Sequence, residues 1–219
     1  MQHRLIITSD GTHTVYVPEL NENYHSVHGA MQESIHIFIN AGLRSLDQNE
    51  ISVFEAGFGT GLNALLTASY AEENMLKINY VTIEKFPLND ETISQLNYGS
   101  KLGDQALALF NAIHSSPWNI EVQVTGNFSL KKIMADLVTW KPEGSFDLIF
   151  FDAFGPDKQP EMWSGEVIRK IADVTRPGGV FVTYSSKGEV KRNLRASGFN
   201  VKLLTGPPGK RHIIRAIKN

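Results

Sequence analysis

The stretch Ile51-Ser-Val-Phe-Glu55-Ala-Gly57-Phe-Gly59-Thr-Gly61-Leu-Asn63 decides the fold. A β-branched and aromatic run ends in an acid, three glycines alternate, and an apolar helical pattern follows. That is the order of a buried strand, a glycine loop and a helix N-terminus, where open α/β sheets bind nucleotide-like ligands. The dinucleotide fingerprint G-x-G-x-x-G would set its third glycine at position 62, which is Leu62. The glycine falls instead at Gly61, which argues against a dehydrogenase.

Working outward, strand-like and helix-like patterns alternate to the C-terminus. Strands are expected at 51–56, 78–84, 120–125, 146–152, 179–185, 201–204 and 212–217, with helices near 62–73, 89–95, 104–114, 130–139, 160–174 and 188–197. The alternation predicts an α/β three-layer fold, a mostly parallel seven-stranded sheet between helices. The last two strands are joined only by 205–211, too short for a parallel crossover, so the last strand should be antiparallel. Upstream, two short strand-like runs flank Asp10-Gly11 and a helical pattern covers 30–43, so residues 1–50 read as an extension packed on a main domain of 51–219.

Composition narrows the function classes. The 219-residue chain is 42% hydrophobic and 20% charged, an ordinary globular balance with no apolar run of membrane-spanning length. It has no cysteine, which excludes disulfides, thiolate metal sites and cysteine nucleophiles and suits a cytoplasmic protein. The net charge of −2 hides an asymmetry: from Lys187 onward nine Lys/Arg face only Glu189, a net of +8. Such a segment suits a polyanion or simply a solvated face. His25-x-x-His28 lacks a third nearby ligand, so no metal site is expected.

Ligands of this architecture sit beyond the carboxyl ends of the strands, so strand-end residues are the site candidates. Glu84, in Tyr80-Val-Thr-Ile-Glu84-Lys85-Phe-Pro87, can accept two ribose hydroxyls. Gly126-Asn127 is read as the end of the third strand, where the Asn127 side chain can accept an adenine amino hydrogen or simply form a turn. The fourth strand ends in Phe151-Asp152-Ala-Phe154-Gly-Pro156-Asp-Lys158-Gln-Pro160-Glu-Met162-Trp163. Asp152 can accept hydrogen bonds from an amine of either substrate or cofactor, and Phe154 and Trp163 can stack on a planar base or pack in the core.

The E-x-G-x-G-x-G spacing resembles S-adenosylmethionine-dependent methyltransferases. Phe58–Asn63, Glu84–Pro87, Asp152–Trp163, Arg176–Thr183 and Gly206–Arg211 together resemble the methyltransferase domain of the tRNA 5-methylaminomethyl-2-thiouridine biosynthesis bifunctional protein family, from about Glu22 to the C-terminus. The resemblance implies a Rossmann-like methyltransferase fold, S-adenosyl-L-methionine as cofactor, and N-methylation of the 5-aminomethyl group of wobble (2-thio)uridine in tRNA. It implies cofactor contacts from Glu55, Gly57, Phe58, Gly59, Gly61, Asn63, Glu84, Lys85, Asn127 and Asp152, with Asp152 also catalytic. Substrate contacts would come from Tyr24 and Ser26 as a lid, from Phe154, Lys158, Met162 and Trp163, and from Lys187, Lys210 and Arg211 on anticodon stem-loop phosphates. The family's fused FAD oxidase is not expected in a chain of this length, so the reading is a stand-alone methyltransferase fed by a separate partner enzyme.

Two other classes stay open. A spermidine-synthase-type transferase on the same fold would use Asp152 for a polyamine but leave the basic segment without a partner. A non-catalytic cofactor- and tRNA-binding subunit would keep the basic segment, but Glu55, Glu84 and Asp152 would then have no catalytic use.

Overall fold

The computed structural model describes residues 3–219. An antiparallel three-stranded sheet opens the chain: β1 (Arg4–Ile7), β2 (His13–Val17) and β3 (Glu22–Asn23). Helix α1 (Ala30–Ser34) follows and runs into a π-helical segment, Ile35–Asn40. The main body is built from β4 (Glu50–Ala56), α2 (Leu62–Asn74), β5 (Lys77–Glu84), α3 (Asp90–Ser94), α4 (Tyr98–Leu102), α5 (Asp104–Ser115), β6 (Glu121–Gln123) and β7 (Phe128–Met134). It continues with β8 (Phe146–Phe151), a 3₁₀ turn at Pro160–Trp163, α6 (Gly165–Asp173), β9 (Thr175–Thr183), α7 (Gly188–Ala196), β10 (Phe199–Thr205) and β11 (His212–Lys218).

Eight strands form one sheet in the order β10-β11-β9-β8-β4-β5-β7-β6. The five central strands β9, β8, β4, β5 and β7 run parallel, and β11 is antiparallel to both β9 and β10, as the short 205–211 connection requires. Side chains alternate between two apolar layers. Val53, Tyr80, Leu130, Leu148 and Phe150 face α2, α5 and the N-terminal segment. Phe54, Ile83, Ile133, Ile149 and Phe151 face α6 and α7. The sheet is therefore covered on both sides, as an all-apolar β8 (buried throughout) demands.

Two expectations fail around residue 127. The run 120–125 was read as the third parallel strand and 130–139 as a helix; the strand in the parallel array is β7, with β6 as its short antiparallel edge partner. The cause is Lys132. It points inward with Phe128 and Leu130 and is 1% exposed, its Nζ donating to the Ile113 and His114 carbonyls at 2.8 and 2.9 Å. Those are the last-turn carbonyls of α5, which a cation satisfies well. Counted as a surface residue, Lys132 breaks the two-residue period and leaves a false helical one. Burial lowers its pKa to about 8.

The N-terminal segment is fastened by Asp10. Its Oδ1 accepts from the Thr8 hydroxyl (2.7 Å) and the Thr12 N–H (3.0 Å), and Oδ2 accepts the Gln32 N–H in α1 at 3.1 Å. Burial pushes the Asp10 carboxyl up, but these donors outweigh it and leave the pKa at about 2. The carboxylate is thus favoured by folding: its contribution is present above the ordinary value of about 4 and fades as pH falls through about 2. Asp10→Ala should lower stability by about 1–3 kcal/mol in urea unfolding at pH 7, with the deficit vanishing toward pH 2.

Candidate active site

The chain leaves β4 at Ala56 and turns through Gly57 (φ 95°) into α2, whose N-cap is Gly61 (φ 73°). A Cβ on Gly57 would sit 2.8 Å from the Asp152 carbonyl oxygen, and one on Gly59 would sit 2.9 Å from the Tyr24 ring. The loop is glycine here because the Asp152 backbone at Gly57 and the Tyr24 ring at Gly59 leave no room for a Cβ.

Behind the loop, Glu55 is fully buried and accepts from Thr82 Oγ1 at 2.7 Å and Asn63 Nδ2 at 3.1 Å. The same Asn63 Nδ2 donates to Asp152 Oδ2 at 2.8 Å. Burial pushes Glu55 up to about 8, with the Asp152 charge adding to it, so Glu55 is mostly protonated at neutral pH. Burial likewise raises Asp152 to about 7, helped by Glu33 and opposed by Asn63 and Lys210. Asn63 Oδ1 is buried and has no hydrogen-bond partner among the described residues.

Glu84 ends β5 with its carboxylate braced on both sides. Oε2 accepts the Gly59 N–H at 3.1 Å and Oε1 the Phe86 N–H at 2.9 Å, leaving an acceptor site on each oxygen. Beside it lies Asp136, just past the end of β7, paired with Lys85 at 2.8 Å. The Lys85 hydrogen bond holds Asp136 below its ordinary pKa.

These groups line one cavity of about 600 Å³ at the carboxyl ends of the parallel strands. The N-terminal segment forms its opposite wall. Tyr24 packs edge-on to Phe154 with ring centroids 4.9 Å apart. His25 is buried with its Nε2 hydrogen-bonded to Thr60 Oγ1 of the glycine loop at 2.8 Å, and burial lowers its pKa to about 4, so it is neutral. Ser26 donates its N–H to Glu33 Oε2 at 2.9 Å, and Lys210 Nζ, reaching in from the β10–β11 connection, lies 2.9 Å from Glu33 Oε1 and over the Tyr184 ring.

Of the residues expected from sequence, Gly57, Phe58, Gly59, Asn63, Glu84, Lys85, Asp152, Tyr24, Ser26, Phe154, Met162 and Lys210 line this cavity, and Glu55 and Gly61 support it from behind. Others fall elsewhere. Asn127 precedes β7, at the opposite end of the strands from the cavity, so it cannot meet an adenine ring there; Asp136, just past β7, holds the strand-end position expected for it. Trp163 is 1% exposed, donating Nε1–H to the Phe154 carbonyl at 2.8 Å and packing on Phe151, so it supports the wall without offering a face to a base. Lys158 donates to the Asn21 carbonyl at 3.2 Å outside the cavity. Lys187 pairs with Asp157 on the surface, and Arg211 is exposed. Lys210 turns inward to Glu33.

Sequence reasoning missed Asp136, His25, Glu33 and Tyr184. Asp136 was recoverable from the correct third strand, whereas the other three come together only through the docking of distant segments. Among the described residues, no cluster of three or more His, Cys, Asp or Glu could hold a metal, and no helix is long and apolar enough to cross a membrane.

A family model described as S-adenosyl-L-methionine-dependent methyltransferase matches residues 103–219, which carry β7, β8 and Asp152. The chain belongs to this methyltransferase family. Its cofactor is S-adenosyl-L-methionine. Curated relatives are the tRNA 5-methylaminomethyl-2-thiouridine biosynthesis bifunctional proteins MnmC of Methylibium petroleiphilum, 30% identical over 96% of this chain and 33% of that protein, and of Cupriavidus metallidurans, 31% identical over 94% and 32%. The chain thus spans about a third of the length of the relatives it matches. Among solved structures, MNMC2 from Aquifex aeolicus superposes with a TM-score of 0.82 at 24% identity, covering 98% of this chain and 69% of that one. Spermidine synthase from Thermotoga maritima gives 0.56 at 15% identity, over 99% and 73%. Both likenesses establish the Rossmann-like methyltransferase fold with its mostly parallel sheet.

Glu84→Ala removes the loop brace and both spare acceptor sites. S-adenosyl-L-methionine affinity should fall by about 1–3 kcal/mol, roughly 5- to 150-fold in calorimetric Kd.

Proposed function

We propose that this methyltransferase methylates the primary amine of a 5-aminomethyl group on wobble (2-thio)uridine in tRNA, giving 5-methylaminomethyl-(2-thio)uridine. The observation that carries the reading is Asp152. A carboxylate with a raised pKa projects into an aromatic-walled cavity next to the glycine loop, where an amine would need orientation and deprotonation. The relatives' involvement in 5-methylaminomethyl-2-thiouridine biosynthesis and the motif resemblance support the same substrate. The exposed cations Lys187, Arg192, Arg195 and Arg211 suit contacts with tRNA phosphates, which would make binding salt-dependent.

The residues fit the cofactor. The glycines permit close backbone approach, the spare acceptor sites of Glu84 suit two ribose hydroxyls, and the orphaned Asn63 Oδ1 suits an ammonium. When bound, S-adenosyl-L-methionine supplies an electrophilic methyl carbon on a sulfonium.

The protein's task is then alignment and a neutral nucleophile. An alkylamine is largely protonated near neutrality, with a pKa of about 10. Asp152, held by Asn63, accepts a hydrogen bond from the amine and passes its proton to solvent. Phe154, braced edge-on by Tyr24, offers a flat wall to the uracil ring. His25, uncharged and tied to Thr60, fixes the N-terminal wall against the glycine loop.

The test is transfer of labelled methyl from S-adenosyl-L-methionine to tRNA carrying 5-aminomethyluridine, with unmodified tRNA as control. Incorporation into the aminomethyl tRNA alone is the expected result; equal or no incorporation would remove the substrate assignment. Asp152→Ala should slow turnover by about 10²–10⁴-fold while cofactor Kd changes little; a matching loss of cofactor affinity would move Asp152 to the cofactor's ammonium. In the wild type, activity requires ionised Asp152, so kcat/KM should fall as pH drops through about 7. An acid limb near 4, the range of ordinary carboxylates, would contradict that assignment.

A further inference from the structure

Tyr184 lines the same cavity as Asp152 but has no role in the mechanism above. It is the first residue past β9, as Asp152 is the first past β8. These neighbouring strands run parallel with Phe150 opposite Val182, a register that sets Asp152 level with Tyr184. From there the Tyr184 hydroxyl donates to the Ala153 carbonyl at 2.8 Å. A phenol has one proton and a carbonyl can only accept, so this bond uses the donor entirely. Burial pushes the Tyr184 pKa well above its ordinary value, and the Asp152 charge adds to the push, so the proton stays in place. The hydroxyl is committed to the backbone and is not an acid or base for the substrate.

That bond completes a set of anchors on the segment carrying Asp152. The Asp152 N–H donates to the Ala56 carbonyl at 2.9 Å. The Phe154 carbonyl accepts Trp163 Nε1–H at 2.8 Å, and the Trp163 carbonyl in turn accepts Asn193 Nδ2–H at 2.9 Å. Between these points lies Ala153, which is 5% exposed. Without the Tyr184 hydroxyl its carbonyl becomes a buried acceptor that has lost its donor, and the Ala153–Phe154 peptide gains a reason to turn. That peptide begins one residue after Asp152 and leads into the Phe154 wall, so its rotation would disturb both the carboxylate and the ring.

We infer that Tyr184 is a positioning residue for methyl transfer, its hydroxyl fixing the direction of the Asp152 carboxylate through the Ala153 carbonyl. In-line transfer tolerates little error, since a misplacement of about 1 Å can cost about 100-fold in rate. The Tyr184 ring is placed by other contacts. It stands edge-on to Trp163 with centroids 6.0 Å apart, and the Lys210 ammonium lies over it at 5.0 Å. Phenylalanine keeps both contacts, so the hydroxyl can be removed alone. This inference rests on the reading of Asp152 as the group that orients the substrate amine.

The experiment is a double-mutant cycle of Tyr184→Phe and Asp152→Ala, assayed by labelled methyl transfer to tRNA carrying 5-aminomethyluridine. Single-turnover rate, KM for the tRNA and Kd for S-adenosyl-L-methionine are measured for the four proteins. Tyr184→Phe alone should lower the single-turnover rate about 10- to 100-fold, with cofactor Kd and tRNA KM close to wild type. In the Asp152→Ala background the same change should cost little, because the group it positions is gone. The acid limb at about 7 should persist in Tyr184→Phe with only its plateau lowered. An equal loss in both backgrounds would show that the hydroxyl does not act through Asp152 and would overturn the inference alone. So would a wild-type rate in Tyr184→Phe, or a rate loss matched by a loss of cofactor affinity. A near-wild-type rate in Asp152→Ala, or no transfer by the wild type, would overturn the Asp152 reading and this inference with it.

Discussion

The structure depends on one amide. Asn63 Nδ2 bridges Glu55 at the end of β4 and Asp152 just beyond β8, while Glu55 also holds Thr82 of β5. Three adjacent parallel strands and the first turn of α2 are thereby tied at the point where the sheet opens to a ligand. A buried glutamic acid on the central strand would be costly without these donors. With them, it fixes where the glycine loop leaves the sheet and where the Asp152 carboxylate points. The raised pKa values of both acids follow from the same enclosure, since two carboxyls sharing one buried donor cannot both ionise cheaply.

Around this clamp the site divides by origin. The sheet supplies one wall, with Glu84 bracing the glycine loop through the Gly59 N–H and Asp136 pairing Lys85 at the next strand end. The N-terminal segment supplies the opposite wall and shares the core, with Val15, Ile37 and Phe38 buried in it, while polar contacts fix it near the cavity. Asp10 fastens it to itself and to α1, His25 bonds Thr60, and His36 bonds the Thr205 carbonyl. The β10–β11 connection also reaches this segment, with Gly209 pressed so closely on His28 that a Cβ there would clash with the ring.

What the sequence determined by itself is the frame. The alternation of apolar strands with amphipathic helices fixed the layers, because strands buried on both faces must be continuous apolar runs. The glycine spacing located the ligand, and the short 205–211 connection forced the antiparallel ending. Residues close along the chain to those signals, from Glu55 to Asn63 and from Glu84 to Lys85, were legible because local backbone geometry dictates them. The tertiary structure alone decided the rest. Burial of Lys132 turned an apparent helix into β7, moving the strand-end position from Asn127 to Asp136. Trp163 became core, Lys210 turned inward to Glu33, and the neutral His25 met Thr60. Each of these is a contact across many residues, set by which polar groups can find partners once water is removed, and no local pattern records that.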